Sequence, residues 1–187
     1  PPPSQVPLGD DGGLSEFEAA LTQVCSQLSE DIARNGEGTS HVMEVAVKNA
    51  PSMHLARAVG KAVVNSPLFK TAVAGNDPNV GRLVGAVGSY LGREAPELDL
   101  SRATMWLGGV LIFEGGQFAL DAGKEDLMHE HMKSALLTDA QGNSLPYPPH
   151  ERNVQIEINL AAGEASATVF GSDLTKEYVA INADYRS

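Results

Sequence analysis

Apolar residues recur at intervals of three and four from Leu14 through Phe17, Leu21, Val24, Leu28 and Ile32, which predicts an amphipathic helix with one face in the core. Ser15 and Glu18 have capping-box spacing near its start, and Asn35-Gly36 supplies its stop. The period then changes to two. From Val42 to Lys48, Met43, Val45 and Val47 fall on one side and Glu44 and Lys48 on the other, which predicts a strand. Pro51 opens a second helix with Leu55, Ala56, Val59 and Val63 on one face, and Asn65-Ser66-Pro67 closes it, because a residue before proline resists the α region. Leu68 to Ala74 reads as a strand, residues 75–79 as a tight loop, and Leu83, Val84, Val87 and Leu91 as the stripe of a third helix that Gly85 and Gly88 thin for close packing.

In the second half, two apolar runs between Thr104 and Phe113 flank Gly108-Gly109, the connection of a two-residue hairpin. Lys124 to Leu137 predicts a helix, and the polar, proline-bearing stretch from Thr138 to Glu151 a loop. Val154, Ile156, Ile158 and Leu160 alternate with Gln155, Glu157 and Asn159 in a strand, and a partner runs from Glu164 to Phe170. Asp173 is placed to cap a last helix bearing Leu174, Tyr178, Ile181 and Tyr185. There is no internal repeat. The sum is an α+β fold of α/β layers, with mixed, partly antiparallel sheets covered by helices.

Composition narrows the function. A chain of 187 residues buries roughly 70% of the surface it exposes when unfolded, enough for a full core. Its 13 Lys+Arg against 24 Asp+Glu give a net charge of −11 and no basic stripe, so nucleic acid and anionic membrane are poor partners. No apolar run reaches the roughly 18 residues of a membrane span, and the first residues lack the basic and apolar regions of a signal peptide. The single Cys25 forms no internal disulfide, which fits a reducing compartment, cytoplasm or a mitochondrial matrix. Residues 1–13, rich in proline and glycine and without an initiator Met, read as a linker or a cut edge, and the gene product is expected to be longer. The remainder, 14–187, divides into possible sublobes at 14–94 and 95–187.

Several residues that resemble chemistry have plainer readings. His129-Glu130-His131 lacks the three- or four-residue spacing that puts two ligands on one helix face, so it reads as a solvated face rather than a zinc site. Cys25 lies beside the apolar stripe of the first helix and reads as a small core residue, with no basic neighbour to stabilise a thiolate. Asp77, Asp99 and Asp121 are not spaced as a calcium loop, and the glycines between 81 and 92 form no dinucleotide fingerprint or phosphate loop. Neither metal nor cofactor is implied.

Three segments stand higher because they combine polar groups with permissive backbone. In Asn35-Gly36-Glu37-Gly38-Thr39-Ser40 a carboxylate between two glycines stands at the entrance to a strand, open to close approach and suited to an ammonium group; the plainer reading is a polar turn. Residues 65–72 and 75–82 carry Asp77, Asn79 and Arg82, which read as braces of a loop and a helix start. In the terminal segment 181–187, Asn182 and the Ser187 hydroxyl beside the terminal carboxylate could line a polar pocket, against the default of a frayed end.

Taken in order, GEG at 36–38, NSPLFKTA at 65–72, G-x-DPN-x-GR at 75–82 and the closing DLTKEYVAINADYRS resemble the β chain of the ornithine acetyltransferase (glutamate N-acetyltransferase) family, over the chain from its first helix to its last residue. The resemblance implies the self-processing ornithine acetyltransferase/aminopeptidase fold and a two-chain enzyme cut from one precursor. It also implies a nucleophilic Thr at the new N-terminus of the β chain, which here would lie upstream of Pro1, so no catalytic residue is expected within this chain. The implied reaction moves an acetyl group from N-acetylornithine to glutamate through an acetyl-enzyme, a step of arginine biosynthesis, without a cofactor. Glu37, Asn182 and Ser187 are the implied substrate-binding residues. The implied partners are the α chain and the N-terminal part of the β chain, in an α2β2 assembly, and small amino-acid substrates. This sequence departs from the family pattern at Thr39-Ser40-His41, where Ala-Thr-Lys is usual, at Val80, where Trp is frequent, and at Ser187, where Thr is common. The change of Lys to an imidazole alters charge near the site and leaves open a relative acting on another acylated amino acid, as acyltransferase or amidohydrolase. A non-catalytic metabolite-binding or assembly domain on the same scaffold is the third alternative.

Overall fold

A computed structural model describes residues 13–139, 141, 143, 145 and 152–183. The elements in chain order are α1 (Gly13–Arg34), β1 (Val42–Ala50), α2 (Met53–Val64), α3 (Pro67–Ala74), α4 (Val80–Glu94), β2 (Thr104–Leu107), β3 (Val110–Glu114), β4 (Gln117–Phe118), α5 (Ala122–Ser134), β5 (Asn153–Asn159), β6 (Ala165–Ser172) and α6 (Lys176–Ala183). The strands form one six-stranded sheet in the order β4-β3-β2-β5-β1-β6. β1 and β5 are parallel, and the other neighbouring pairs are antiparallel. The mixed α/β layer architecture expected from the sequence is therefore present.

The register explains the core. Val45 stands opposite Ile156 on one side and Val169 on the other, Val47 opposite Ile158 and Ala167, and β2 continues the rows with Leu107 beside Ile156 and Met105 beside Ile158. Strand alternation thus lays the apolar residues of four strands on one face. On that face lies the core, to which α2 contributes Ala56, Val59 and Val63 and α4 contributes Leu83, Val87 and Leu91, all essentially inaccessible to solvent. Gly60 of α2 lies so close to β6 that a Cβ there would stand 2.7 Å from Val169 Cγ2. The opposite sheet face carries Glu44, Ala46, Lys48, Trp106, Gln155 and Glu157 along an open groove, where Lys48 and Glu157 pair at 2.6 Å.

Five expectations are corrected. Leu68 to Ala74 is helical: Ser66 Oγ accepts from the Phe69 amide at 3.3 Å, Pro67 sits at the first helical position, and Phe69, Ala72 and Val73 bury one face. The Ser66-Pro67 pair that ends one helix also starts the next. β6 pairs with β1 instead of β5, because residues 160–163 strap across the end of β1: Leu160 and Ala162 donate to the carbonyls of Lys48 and Asn49 at 3.0 and 2.8 Å. Gly163 presses on Ala50, whose carbonyl oxygen would meet an added Cβ at 2.3 Å. Gly85 and Gly88 face open space and thin nothing. α1 begins at Gly13, which puts Ser15 inside its first turn, and its apolar stripe is not core: Leu14, Phe17, Leu21, Val24, Leu28 and Ile32 are 49–78% exposed, and Cys25 is exposed too. The buried residues of α1 are Glu30 and Arg34 near its end, which join each other and Asn153.

The fifth correction concerns histidines. His129 and His131 are not on a solvated face: His129 Nδ1 lies 2.7 Å from the Asn76 carbonyl oxygen, and His131 Nε2 accepts from the Gln155 amide at 3.0 Å. The His131 ring packs against Gly108, whose positive φ of 58° begins the β2–β3 turn. Burial lowers the His131 pKa below its usual value, as expected for an imidazole whose acceptor nitrogen is already used. The Gly108-Gly109 hairpin itself is as the sequence predicts. No group of three His, Cys, Asp or Glu suited to a metal occurs among the described residues, and no described helix is long and apolar enough to cross a membrane.

Candidate functional site

The segment after α1 and the segment after β6 meet twice. The first meeting is in solvent. Gly38 takes a φ of +62°, which lets the turn reverse, and α6 begins directly against it, so that a Cβ on Gly38 would lie 2.6 Å from the Tyr178 amide nitrogen. Thr175 Oγ1 donates to the Gly38 carbonyl at 2.6 Å and accepts from the Tyr178 amide at 3.0 Å, capping α6 while tying it to the loop. Exposed Glu37 and Asn182 then come together, Asn182 Nδ2 donating to Glu37 Oε2 at 3.2 Å and to the Tyr178 carbonyl at 3.0 Å. An ionised carboxylate only accepts, and with one donor at Oε2 it keeps further lone pairs for a cation. The structure therefore brings two of the three sequence-derived binding residues into contact across 145 positions of chain. The third, Ser187, lies outside the described residues, as do Tyr185, which the sequence assigns to the last helix, and most of residues 1–13.

The second meeting is buried. His41 and Asp173 are closed to solvent at their side chains, with Nδ1 3.0 Å from Asp173 Oδ2. Ser40 Oγ donates to the same oxygen at 2.5 Å, the Ser40 amide donates to Oδ1 at 3.1 Å, and the Asp173 amide donates to the His41 carbonyl at 3.1 Å. On the far side of the ring Nε2 lies 3.1 Å from Asn76 Oδ1, in the loop between α3 and α4. Asp173 is thus the hub of a buried cluster and not the helix cap that the sequence predicts; Thr175 caps α6. Ser40 and Asp173 leave Nδ1 as a donor to the carboxylate, whereas the Asn76 amide can present its oxygen to an Nε2–H or its nitrogen to a bare Nε2.

The 75–82 loop behaves as read from the sequence. Asn79 Oδ1 accepts from the Arg82 amide at 3.3 Å and caps α4, Asn79 Nδ2 donates to Asp77 Oδ2 at 3.2 Å, and Arg82 Nη1 donates to the Leu68 carbonyl at 2.9 Å. Asn76, at a φ of +52°, is held from both sides, by His41 at its side chain and His129 at its carbonyl.

The geometry joins the four motif segments, and the comparisons with known proteins agree. The ArgJ family model matches residues 8–187. This chain belongs to the ArgJ family. An arginine biosynthesis bifunctional protein ArgJ from Agrobacterium fabrum is 35% identical over 183 residues, 98% of this chain and 39% of that protein. Its counterpart from Bifidobacterium longum is 37% identical over 92% of this chain and 38% of its own length. The crystal structure of the ArgJ protein from Bacillus halodurans superposes with a TM-score of 0.73 at 29% identity, covering 91% of this chain and 70% of that one. The chain spans about two fifths of the length of the curated ArgJ relatives it matches.

Sequence reasoning missed Asn76 and Thr175 as members of this region, and marked His41 only as a departure from the family pattern near the site. Thr175 had a signal, since a threonine three residues before Tyr178 has N-cap spacing. The pairing of His41 with Asp173 had none, because the carboxylate lies 132 residues away.

Proposed function

We propose that this chain is the C-terminal part of the β chain of an acetyltransferase that moves an acetyl group from N-acetylornithine to glutamate. The observation that carries the reading is the Glu37–Asn182 contact, because it unites the glycine-flanked carboxylate and the terminal Asn on one solvent-facing edge. Glu37 would bind the free amino group of the donor, with Asn182 holding the carboxylate in place and the Ser187 hydroxyl orienting the polar end of the substrate. Chemistry would come from a Thr upstream of Pro1. Its α-amine accepts the hydroxyl proton as Oγ attacks the acetyl carbonyl, the amide C–N bond breaks, and the proton goes to the departing ornithine amine. The glutamate amine then attacks the ester carbonyl, the C–O bond breaks, and the Thr hydroxyl is restored.

The remaining part of the precursor is the proposed partner, in a pair of α and β chains each. Two surfaces support it: the exposed apolar stripe of α1 and the open sheet face with Trp106 along it. A layer of sheet requires a covering layer on each face that it buries, and among the described residues the helices pack their apolar faces on one side of the sheet, leaving the groove with Trp106 open on the other. A second reading, transfer from another acylated amino acid, rests on the departure from the family pattern at Thr39-Ser40-His41.

The test is the complete processed enzyme, supplied with N-acetylornithine and glutamate. The expected result is N-acetylglutamate together with an acetylated chain detected by mass spectrometry. Acetate and ornithine without N-acetylglutamate would identify a hydrolase, and no turnover or acyl-enzyme with any N-acetyl amino acid would leave only a binding role.

A further inference from the structure

The buried cluster beneath the Glu37–Asn182 edge has no part in the reaction just described, yet it bonds every segment that forms that edge. Ser40, three residues after Glu37, gives both its amide and its hydroxyl to Asp173. Asp173 stands two residues before Thr175, which caps α6 and holds the Gly38 carbonyl, and α6 carries Asn182. The remaining contact of the Asp173 carboxylate is His41, and the other nitrogen of that ring reaches Asn76 in a third segment. We propose that His41 is a positioning residue: through its Nδ1 bond to Asp173 it fixes α6 and the 36–40 loop against each other, and so sets the orientation in which Glu37 meets a substrate amine.

Three features favour positioning over simple filling of space. The ring is wholly inaccessible to solvent. Both nitrogens have partners, on two different segments, so the ring is fixed in rotation as well as in place. The Asp173 carboxylate is closed to water, so loss of one donor leaves lone pairs that no solvent replaces, and the segment must shift to find another. A shift on the order of 1 Å at a binding group is enough to change recognition strongly.

The inference rests on the reading that Glu37 binds the donor amine, and the test separates the two. An Asn side chain puts its amide nitrogen where Nδ1 stands, whereas Gln reaches the Nε2 position, so His41→Asn preserves the bond to Asp173 and His41→Gln breaks it. Both would be made in the processed enzyme, beside Glu37→Gln, and assayed with N-acetylornithine and with N-acetylnorvaline, which lacks the side-chain amine. His41→Gln is expected to raise the KM for N-acetylornithine about tenfold with kcat within about twofold, leaving N-acetylnorvaline kinetics unchanged, while His41→Asn stays near the parent. Equal behaviour of His41→Asn and His41→Gln, or equal changes for both donors, would overturn the proposal. If Glu37→Gln raises the KM and His41→Gln does not, the positioning role fails while the Glu37 assignment stands. If Glu37→Gln leaves the KM unchanged, the assignment fails and takes the proposal with it. Should His41→Gln not assemble, Asp173→Asn weakens the same bond from the other side, and absence of the same split between donors there would equally overturn the role.

Discussion

The same two stretches of chain touch at Glu37–Asn182 and at His41–Asp173, and the two contacts differ in every physical respect but geometry. Both are polar contacts near 3 Å. The first is exposed, between a carboxylate and a neutral amide; the second is closed to water and shared among Ser40, His41, Asn76 and Asp173. In water an exposed hydrogen bond competes with solvent and contributes little to folding, so an exposed carboxylate is free to exchange its partner for a ligand. A buried cluster has no such freedom, because its groups lose their partners only at the full cost of desolvation. On the proposed function, the open contact would bind and the closed one hold.

The comparison breaks most readily at Asp173. Asp173→Ala strips the acceptor from the buried His41 ring and from the Ser40 amide and hydroxyl, and a loss on the order of 3 kcal/mol is expected in urea denaturation. A loss below about 0.5 kcal/mol would remove the distinction between the two contacts. Next in size is Gly38→Ala, which forces an L side chain to the positive φ that links the contacts and drives its Cβ against the Tyr178 amide nitrogen. The expected cost is about 1–3 kcal/mol, read from the same titration.

His131, which bonds the Gln155 amide and takes part in neither contact, supplies a control. Burial lowers its folded pKa below the 6.5 of an unperturbed imidazole. The unfolded chain therefore takes up the proton first, the stability contributed by neutral His131 is complete above 6.5, and it declines as pH falls from there toward the folded value. His131→Gln, which can keep the acceptor for the Gln155 amide, is expected to flatten that acid arm of the stability curve without touching donor KM. An unchanged arm would show that the acid sensitivity arises elsewhere. The smallest effect on folding is expected at Asn182→Ala, within about 0.5 kcal/mol of the parent, although donor KM should rise several-fold. A large loss of stability there would place Asn182 with the structural contacts.

How much of this was legible depended on sequence separation. Elements whose signal is local were readable: the alternation of Val154, Ile156 and Ile158, the Gly108-Gly109 hairpin, and the Asn79 cap of α4. Leu68 to Ala74 misled because so short an apolar run with a β-branched centre can be read at either period, and the deciding feature was the Ser66-Pro67 start. The α1 stripe was correctly helical, yet periodicity shows only that a face is apolar, not what covers it. At the site, Glu37 and Asn182 were reached through motifs, whereas Asp173 was given a local capping role because its real partners, Ser40 and His41, are more than 130 residues away. Nothing in a single sequence pairs residues at that distance.

The central claim, that the exposed contact serves a ligand and the fold does not need it, is tested most directly by donor kinetics and thermal melting of Glu37→Gln in the processed enzyme. The expected result is a KM for N-acetylornithine raised at least about tenfold with a Tm within about 2 °C of the parent. A parental KM, or a Tm lowered as far as that of Asp173→Ala, would contradict it.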